Sequence, residues 1–256
     1  MDEIYLTSNL VIKNNKSYYI NENTNKWEKI NLKNWHKYFG EYGWEKIDQG
    51  WIRRLNKYKK EYNSRWGILD CGGDGDCLFY VITEAIRLED PNIDIDVEIL
   101  RQICAEQIDE NNFDMIIDIY RIMYDVGDFL GDWNPHEISC IDDLKKEIKK
   151  TGHNHWGDHI IIQLLGRALD INFIILNSEK VDDNDNKIKG NLKERFNIHS
   201  IGSDYITTQK TIIIYYIDSM HFKLVGYFND NYVQTLFDEI PEELMIIYRD
   251  DIHMLK

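Results

Sequence analysis

The chain has 256 residues, 43% of them hydrophobic and 12% aromatic, and a net charge of −15. That apolar and aromatic content excludes intrinsic disorder despite the charge, and the length accommodates one large domain, or a medium domain with an extension, around a sizeable core. With only 3 Pro and no Gly/Ser-rich or Pro-rich stretch, a flexible linker is excluded, so any extension is expected to pack onto the domain.

Charge and tryptophan divide the chain unevenly. Residues 1–66 hold 13 Lys/Arg against 8 Asp/Glu, residues 67–256 hold 17 against 37, and five of the 7 Trp (Trp27, Trp35, Trp44, Trp51 and Trp66) fall in the first part. The two parts are expected to meet different partners. In the first, YLTSNLVI and KSYYI read as short strands around an Asn-rich turn, followed by a helix-like stretch from about Glu41 to Tyr62. Its basic segment WIRRLNKYKKEY suits nucleic acid or an acidic surface, but one short basic helix is more often a solvated face, and nucleic acid is not the expected partner. Residues 77–88 place Leu78, Val81, Ile82 and Ala85 on one helical face, and residues 96–110 do the same with Val97, Leu100, Cys104 and Ile108. Further helices are expected at 113–124, 141–150 and 158–170. The period then changes: residues 171–177, 211–217 and 221–228 are β-branched and aromatic runs bounded by polar turns, as buried strands are. Between the first two strands lies a polar stretch of about thirty residues containing DDNDNKIKG, expected to be a surface loop or small hairpin.

Cys71, Cys77, Cys104 and Cys140 show no CxxC pair and no regular spacing, which argues against a disulfide framework and a thiolate zinc site. A reducing compartment follows. The first residues lack the charged start and apolar stretch of a signal peptide, and no apolar run approaches the roughly 18 residues of a membrane span. The cytosol or nucleus, with no membrane partner, is the expectation.

The segment CGGDGDCLFYVI, residues 71–82, carries the most chemistry, because a run of Gly and Asp ends in a Cys that also starts a helix. A thiol there lies near unpaired backbone N–H groups and the positive end of the helix dipole, both of which favour thiolate. Glycines just before it let N–H groups converge into a nest for an oxyanion. Taken alone, a Cys among apolar residues is more often a small core residue, and a Gly-rich loop before a helix can instead bind phosphate, although Asp74 and Asp76 count against that. A cysteine nucleophile needs a general base, usually His. Of eight histidines, His221 opens an apolar strand directly after another, which places its imidazole at a rigid sheet edge. The segment HNHWGDH groups His153, His155 and His159, the last two at the i, i+4 spacing of a helical metal pair.

The run DGDCLF at 74–79, the run HWGDHIIIQLLGRALDINFIIL at 155–176 and the His-plus-aromatic strand at 221–225 resemble, in order and separation, the ovarian tumour (OTU) deubiquitinase family. The resemblance covers roughly residues 66–228. It implies an α/β papain-like cysteine protease fold, a central sheet flanked by helices, with residues 66–256 as catalytic domain and 1–65 as a Trp-rich extension. It further implies a thiol protease, with no metal and no cofactor expected, that hydrolyses the bond after the terminal Gly of ubiquitin, polyubiquitin or a ubiquitin-like modifier. By position Cys77 is the nucleophile, His221 the base, and Asp74 belongs to the loop that shapes the oxyanion hole. Trp156 is expected beside the site, as groove wall or core-edge residue.

One departure matters. The family commonly places Asp or Asn two residues after the catalytic His, and here that residue is Lys223, which cannot accept a hydrogen bond from the ring. Asp74 is the first candidate for the missing acid, with Asp70 and Asp218 behind it. Two other readings stand beside the protease: a ubiquitin-binding protein with a dead centre, and a binding protein that acts through its basic amino-terminal segment. The Asn-, Ile-, Lys- and Asp-rich composition is what an AT-rich genome produces and points to a viral or parasite protein acting in a host cell.

Overall fold

The computed structural model describes residues 3–57, 59, 64–181, 193–200, 206, 208–217 and 220–254. Strands β1 (Glu3–Tyr5), β2 (Leu10–Lys13), β3 (Lys16–Asn21) and β4 (Lys26–Lys29) form an antiparallel meander. Helix α1 (Trp35–Phe39), strand β5 (Trp44–Lys46), helix α2 (Gln49–Leu55) and strand β6 (Trp66–Leu69) follow. Five helices come next: α3 (Cys77–Glu89), α4 (Val97–Glu106), α5 (Phe113–Val126), α6 (Ile141–Lys149) and α7 (His159–Leu169). Strands β7 (Ile171–Val181), β8 (Lys193–Ser200), β9 (Lys210–Ile217), β10 (His221–Phe228), β11 (Val233–Gln234) and β12 (Leu236–Phe237) precede the last helix, α8 (Glu242–Met254).

The second sheet runs β5-β6-β10-β9-β7-β8, with β11 on β10 and β12 on β9. Among the described residues only the β7–β9 pair is parallel. This is the α/β architecture, a central sheet flanked by helices, that the resemblance implied. The sheet is buried on both faces, which explains the uninterrupted apolar runs of β9 and β10. One face packs on α3 to α7 through Leu78, Val81, Ile161, Leu165, Ile214 and Leu224. The other packs on α2 and α8 through Trp51, Leu55, Ile68, Ile213, Val225 and Leu244.

Residues before 65 enter both of these cores. Leu10, Trp35 and Trp44 belong to the first and Trp51 to the second. Trp35 stacks on Phe228 with ring centroids 5.5 Å apart, and its indole N–H donates to the Ser64 carbonyl at 3.0 Å. β5 forms the outer strand on β6, with Trp44 opposite Leu69.

The single helix expected from Glu41 to Tyr62 is instead a short 3-10 turn, a strand and a seven-residue helix. Gly43, at φ 108°, ends the turn in the left-handed region, where a residue with a Cβ is strained. Asp48 then caps α2 by accepting the Gly50 N–H at 2.8 Å. Residues 58 and 60–63, the later part of the basic segment, lie outside the described residues. So do residues 182–192 of the polar stretch, although β7 and β8 on either side of them pair antiparallel, as a hairpin does. No helix of the described residues is long and apolar enough to cross a membrane.

Candidate active site

Cys77 is the first residue of α3, and the path of the chain just before it is set by backbone geometry. Asp74 (φ 57°) and Gly75 (φ 87°) both adopt left-handed conformations, and the Asp76 N–H donates to the Gly73 carbonyl at 3.1 Å. A Cβ at Gly75 would run into the Gly152 carbonyl, so the loop lies directly on the backbone of the 152–155 segment. Asp76 is the anchor. Its carboxylate does not cap α3; it takes the Gly152 N–H at 2.6 Å and pairs with Arg101 of α4, whose Nε lies 2.8 Å away. Arg101 is wholly buried, donates also to the Ile148 and His155 carbonyls at 3.0 and 2.8 Å, and lies 4.2 Å above the Phe79 ring. One guanidinium thus ties the cysteine loop, α4, the end of α6 and the 152–155 segment together.

The thiol of Cys77 is buried. Burial pushes it up, the backbone N–H groups of Phe222, Leu78 and Cys77 itself pull it down, and the nearby Asp70 carboxylate adds to the rise. The outcome lies above the ordinary thiol value, so the helix-terminus effect expected from the sequence is present but outweighed by desolvation. Cys77 and Phe222, the residue that follows His221, are buried in the same core, where α3 packs on β10.

His221 is the first residue of β10 and pairs with Ile217 across the β9–β10 turn. Its Nε2 lies 3.1 Å from Asp70 Oδ1. Asp70 is the residue just after β6, and the Leu69–Leu224 pairing brings it beside β10. Burial works to raise the Asp70 carboxyl, but the Gly72 N–H, His221 and Lys223 together hold it below its ordinary value. An ionised carboxylate can only accept, so Nε2 carries a proton and Nδ1 is the basic nitrogen of the neutral ring. The carboxylate on the histidine is therefore Asp70, which the sequence placed behind Asp74; Asp74 lies in the cysteine loop. Asp218 lies outside the described residues.

The HWGD segment lies against the first turn of α3. A Cβ at Gly157 would stand 2.5 Å from Leu78, so only glycine lets this segment touch the first turn of α3. Half-buried Trp156 precedes it, held by its N–H to the Leu130 carbonyl at 3.0 Å. The i, i+4 helical pairing of His155 and His159 does not form, because α7 begins only at His159, capped by Asp158. His155 turns inward, buried among Tyr120, Phe129 and Trp133, with Nε2 3.2 Å from the Tyr120 hydroxyl. Burial and then Arg101 lower it to about 3. Among the described residues no group of three or more His, Cys, Asp or Glu is placed to hold a metal ion.

A cysteine at a helix start, beside a strand that opens with a carboxylate-bound histidine, is the arrangement of a thiol-dependent hydrolase. The chain belongs to the OTU-like cysteine protease family, whose sequence pattern matches residues 72–222. No curated protein matches it. Among solved structures it is similar to the OTUD1 OTU domain, with 14% identity over 68% of this chain and 93% of that one and a TM-score of 0.39. It is similar also to an OTU deubiquitinase from Wolbachia pipientis wMel bound to ubiquitin (14% identity, 65% and 99% coverage, TM-score 0.43). A third is the viral OTU domain protease from Qalyub virus (17% identity, 63% and 83% coverage, TM-score 0.37).

Proposed function

We propose that the protein is a deubiquitinating cysteine protease in which Cys77 is the nucleophile, His221 the general base and Asp70 the acid that orients it. What supports this is that α3, which Cys77 opens, packs on β10, which His221 opens, and that His221 is bound through Nε2 to Asp70. In the reaction His221 Nδ1 accepts the thiol proton as sulfur attacks the carbonyl carbon of the modifier's terminal Gly. The oxyanion of the tetrahedral intermediate lies toward the N–H groups of Cys77 and Leu78 at the start of α3, with the Asp74–Gly75 turn fixing their direction. The imidazolium then protonates the departing lysine amine, leaving a thioester, and a water activated by the same ring hydrolyses it. Ubiquitin or a ubiquitin-like protein is the substrate by family membership and by its presence in complexes of the similar OTU proteins. An acidic catalytic part suits the basic tail of ubiquitin. The residues before 65 act as a packed part of the catalytic unit, and the four free cysteines suit a reducing compartment.

A second reading, a ubiquitin-binding protein without turnover, is favoured by the elevated thiol alone. Hydrolysis of a ubiquitin carboxy-terminal fluorogenic substrate, together with labelling by a ubiquitin carboxy-terminal electrophile, separates the two. The protease reading expects turnover and labelling by wild type, neither by Cys77→Ala, and at least a 100-fold loss, on the scale of removing a catalytic-triad member, in His221→Ala. A folded wild type that binds ubiquitin but neither cleaves nor labels establishes the second reading.

A further inference from the structure

Lys223 occupies the position that departs from the family, and the structure gives it a task. Alternation along β10 puts His221 and Lys223 on the same face, and the Leu69–Leu224 pairing carries Asp70 opposite Lys223. The Lys223 ammonium lies 3.6 Å from Asp70 Oδ2 and 3.7 Å from Glu45 Oε2. The other oxygen of Asp70, Oδ1, takes the His221 ring and the Gly72 N–H at 3.1 and 3.2 Å. Asp70 follows the end of a strand and is 50% exposed in its side chain, whereas Lys223 is 18% exposed. A carboxylate so placed has several rotamers open to it, and the more deeply seated lysine selects the one in which Oδ1 faces the imidazole.

We infer that Lys223 is a positioning residue: it acts through Asp70, holding that carboxylate on His221, and is itself steadied by Glu45 of β5, so that a strand from the amino-terminal segment completes the site. This rests on the reading of Cys77 and His221 as nucleophile and base. Electrostatics agree with the arrangement. The charges of Glu45, Lys223 and Asp70 leave one net negative charge facing His221, as a lone acid would. The lysine orients the acid without cancelling the field that stabilises an imidazolium. The other groups close to Asp70 are the Cys77 thiol and Cys71, neither of which carries charge at neutral pH because burial raises both.

The experiment combines kinetics with a measurement that needs no turnover. In wild type and Lys223→Arg, the His221 ring gives a slowly exchanging Nε2 proton by NMR; in Lys223→Met that signal broadens and exchanges. On the fluorogenic ubiquitin substrate Lys223→Met loses about 10- to 100-fold in kcat, the range expected of a misplaced catalytic group, with KM and Tm close to wild type, because a half-exposed ion pair adds little to folding stability. Lys223→Arg restores most of it. The double substitution Asp70→Asn with Lys223→Asp, which puts an acceptor beside His221 on the same strand face, recovers activity that Asp70→Asn alone loses. The inference is overturned if Lys223→Met keeps both the protected ring proton and wild-type kcat, or if Lys223→Arg is as damaged as Lys223→Met. Should wild type itself prove inactive, the proposed function fails, while the NMR comparison still decides the role of Lys223.

Discussion

Replacing Arg101 by Met removes the guanidinium that joins four parts of the catalytic unit. Arg101 is wholly buried and Asp76 is 5% exposed, so the substitution strands a carboxylate whose remaining partner is the Gly152 N–H, and it leaves the Ile148 and His155 carbonyls without the donor they now have. Breaking a buried ion pair from one side costs about 3–5 kcal/mol. At about 2–4 °C per kcal/mol for a chain near this size, Tm falls by roughly 6–20 °C. Thermal and urea unfolding of Arg101→Met, Asp76→Asn and the double variant measure it. The double variant carries no unpaired buried charge and is expected to be about 1–3 kcal/mol more stable than the two single losses added together. Since Asp76 immediately precedes Cys77, kcat/KM measured well below the new Tm also falls. An Arg101→Met loss below about 1 kcal/mol, on the scale of an exposed pair, with unchanged m-value, refutes the anchoring role.

Three further outcomes are expected. Gly75→Ala places a Cβ at positive φ, a cost of about 1–2 kcal/mol, and drives it into the Gly152 carbonyl, so the variant loses turnover well before it unfolds; a fluorogenic assay alongside circular dichroism detects this. Trp35→Ala empties a fully buried site stacked on Phe228 and destabilises by about 3–5 kcal/mol, and urea unfolding shows the loss as one cooperative transition, because the first residues and β10 share a core. His155 is held neutral, lowered to about 3 against an ordinary 6.5. The unfolded chain therefore binds the extra proton across that window, so stability is complete above pH 6.5 and is lost as pH falls toward 3, by up to about 1.4 kcal/mol per pH unit. His155→Gln flattens that slope in urea titrations between pH 6.5 and 4.

The long helices and the strongest strands were legible because their apolar periods are unbroken: α3, α5, α6, α7, β9 and β10 lie within about two residues of where the spacing puts them. The stretch from 41 to 62 was misread because Trp44, Ile47, Trp51 and Leu55 keep a 3–4 spacing through a strand, a turn and a short helix, each facing a core for a different reason. β6, only four residues, has no apolar–polar alternation to announce it, since Trp66 and Ile68 face one core, Leu69 faces the other, and all four residues are buried. α8 has a weak amphipathic pattern. In the site, Cys77 and His221 stood out by local context, a glycine turn before a helix and a histidine opening a strand. Asp70 did not, because what brings it to His221 is the pairing of β6 with β10, a long-range register that no local pattern encodes.

The histidine and its carboxylate are separated by 151 residues, and the thiol lies on yet another element. Loop closure over such a span comes late, after the helices with their short-range contacts have formed. A chain still emerging from the ribosome can carry a formed α3 and its cysteine, yet His221 meets Asp70 only once residue 221 has been made and β10 has joined β6. The contact of the histidine with its carboxylate is therefore tied to a long-range strand pairing and exists only in molecules whose central sheet is complete.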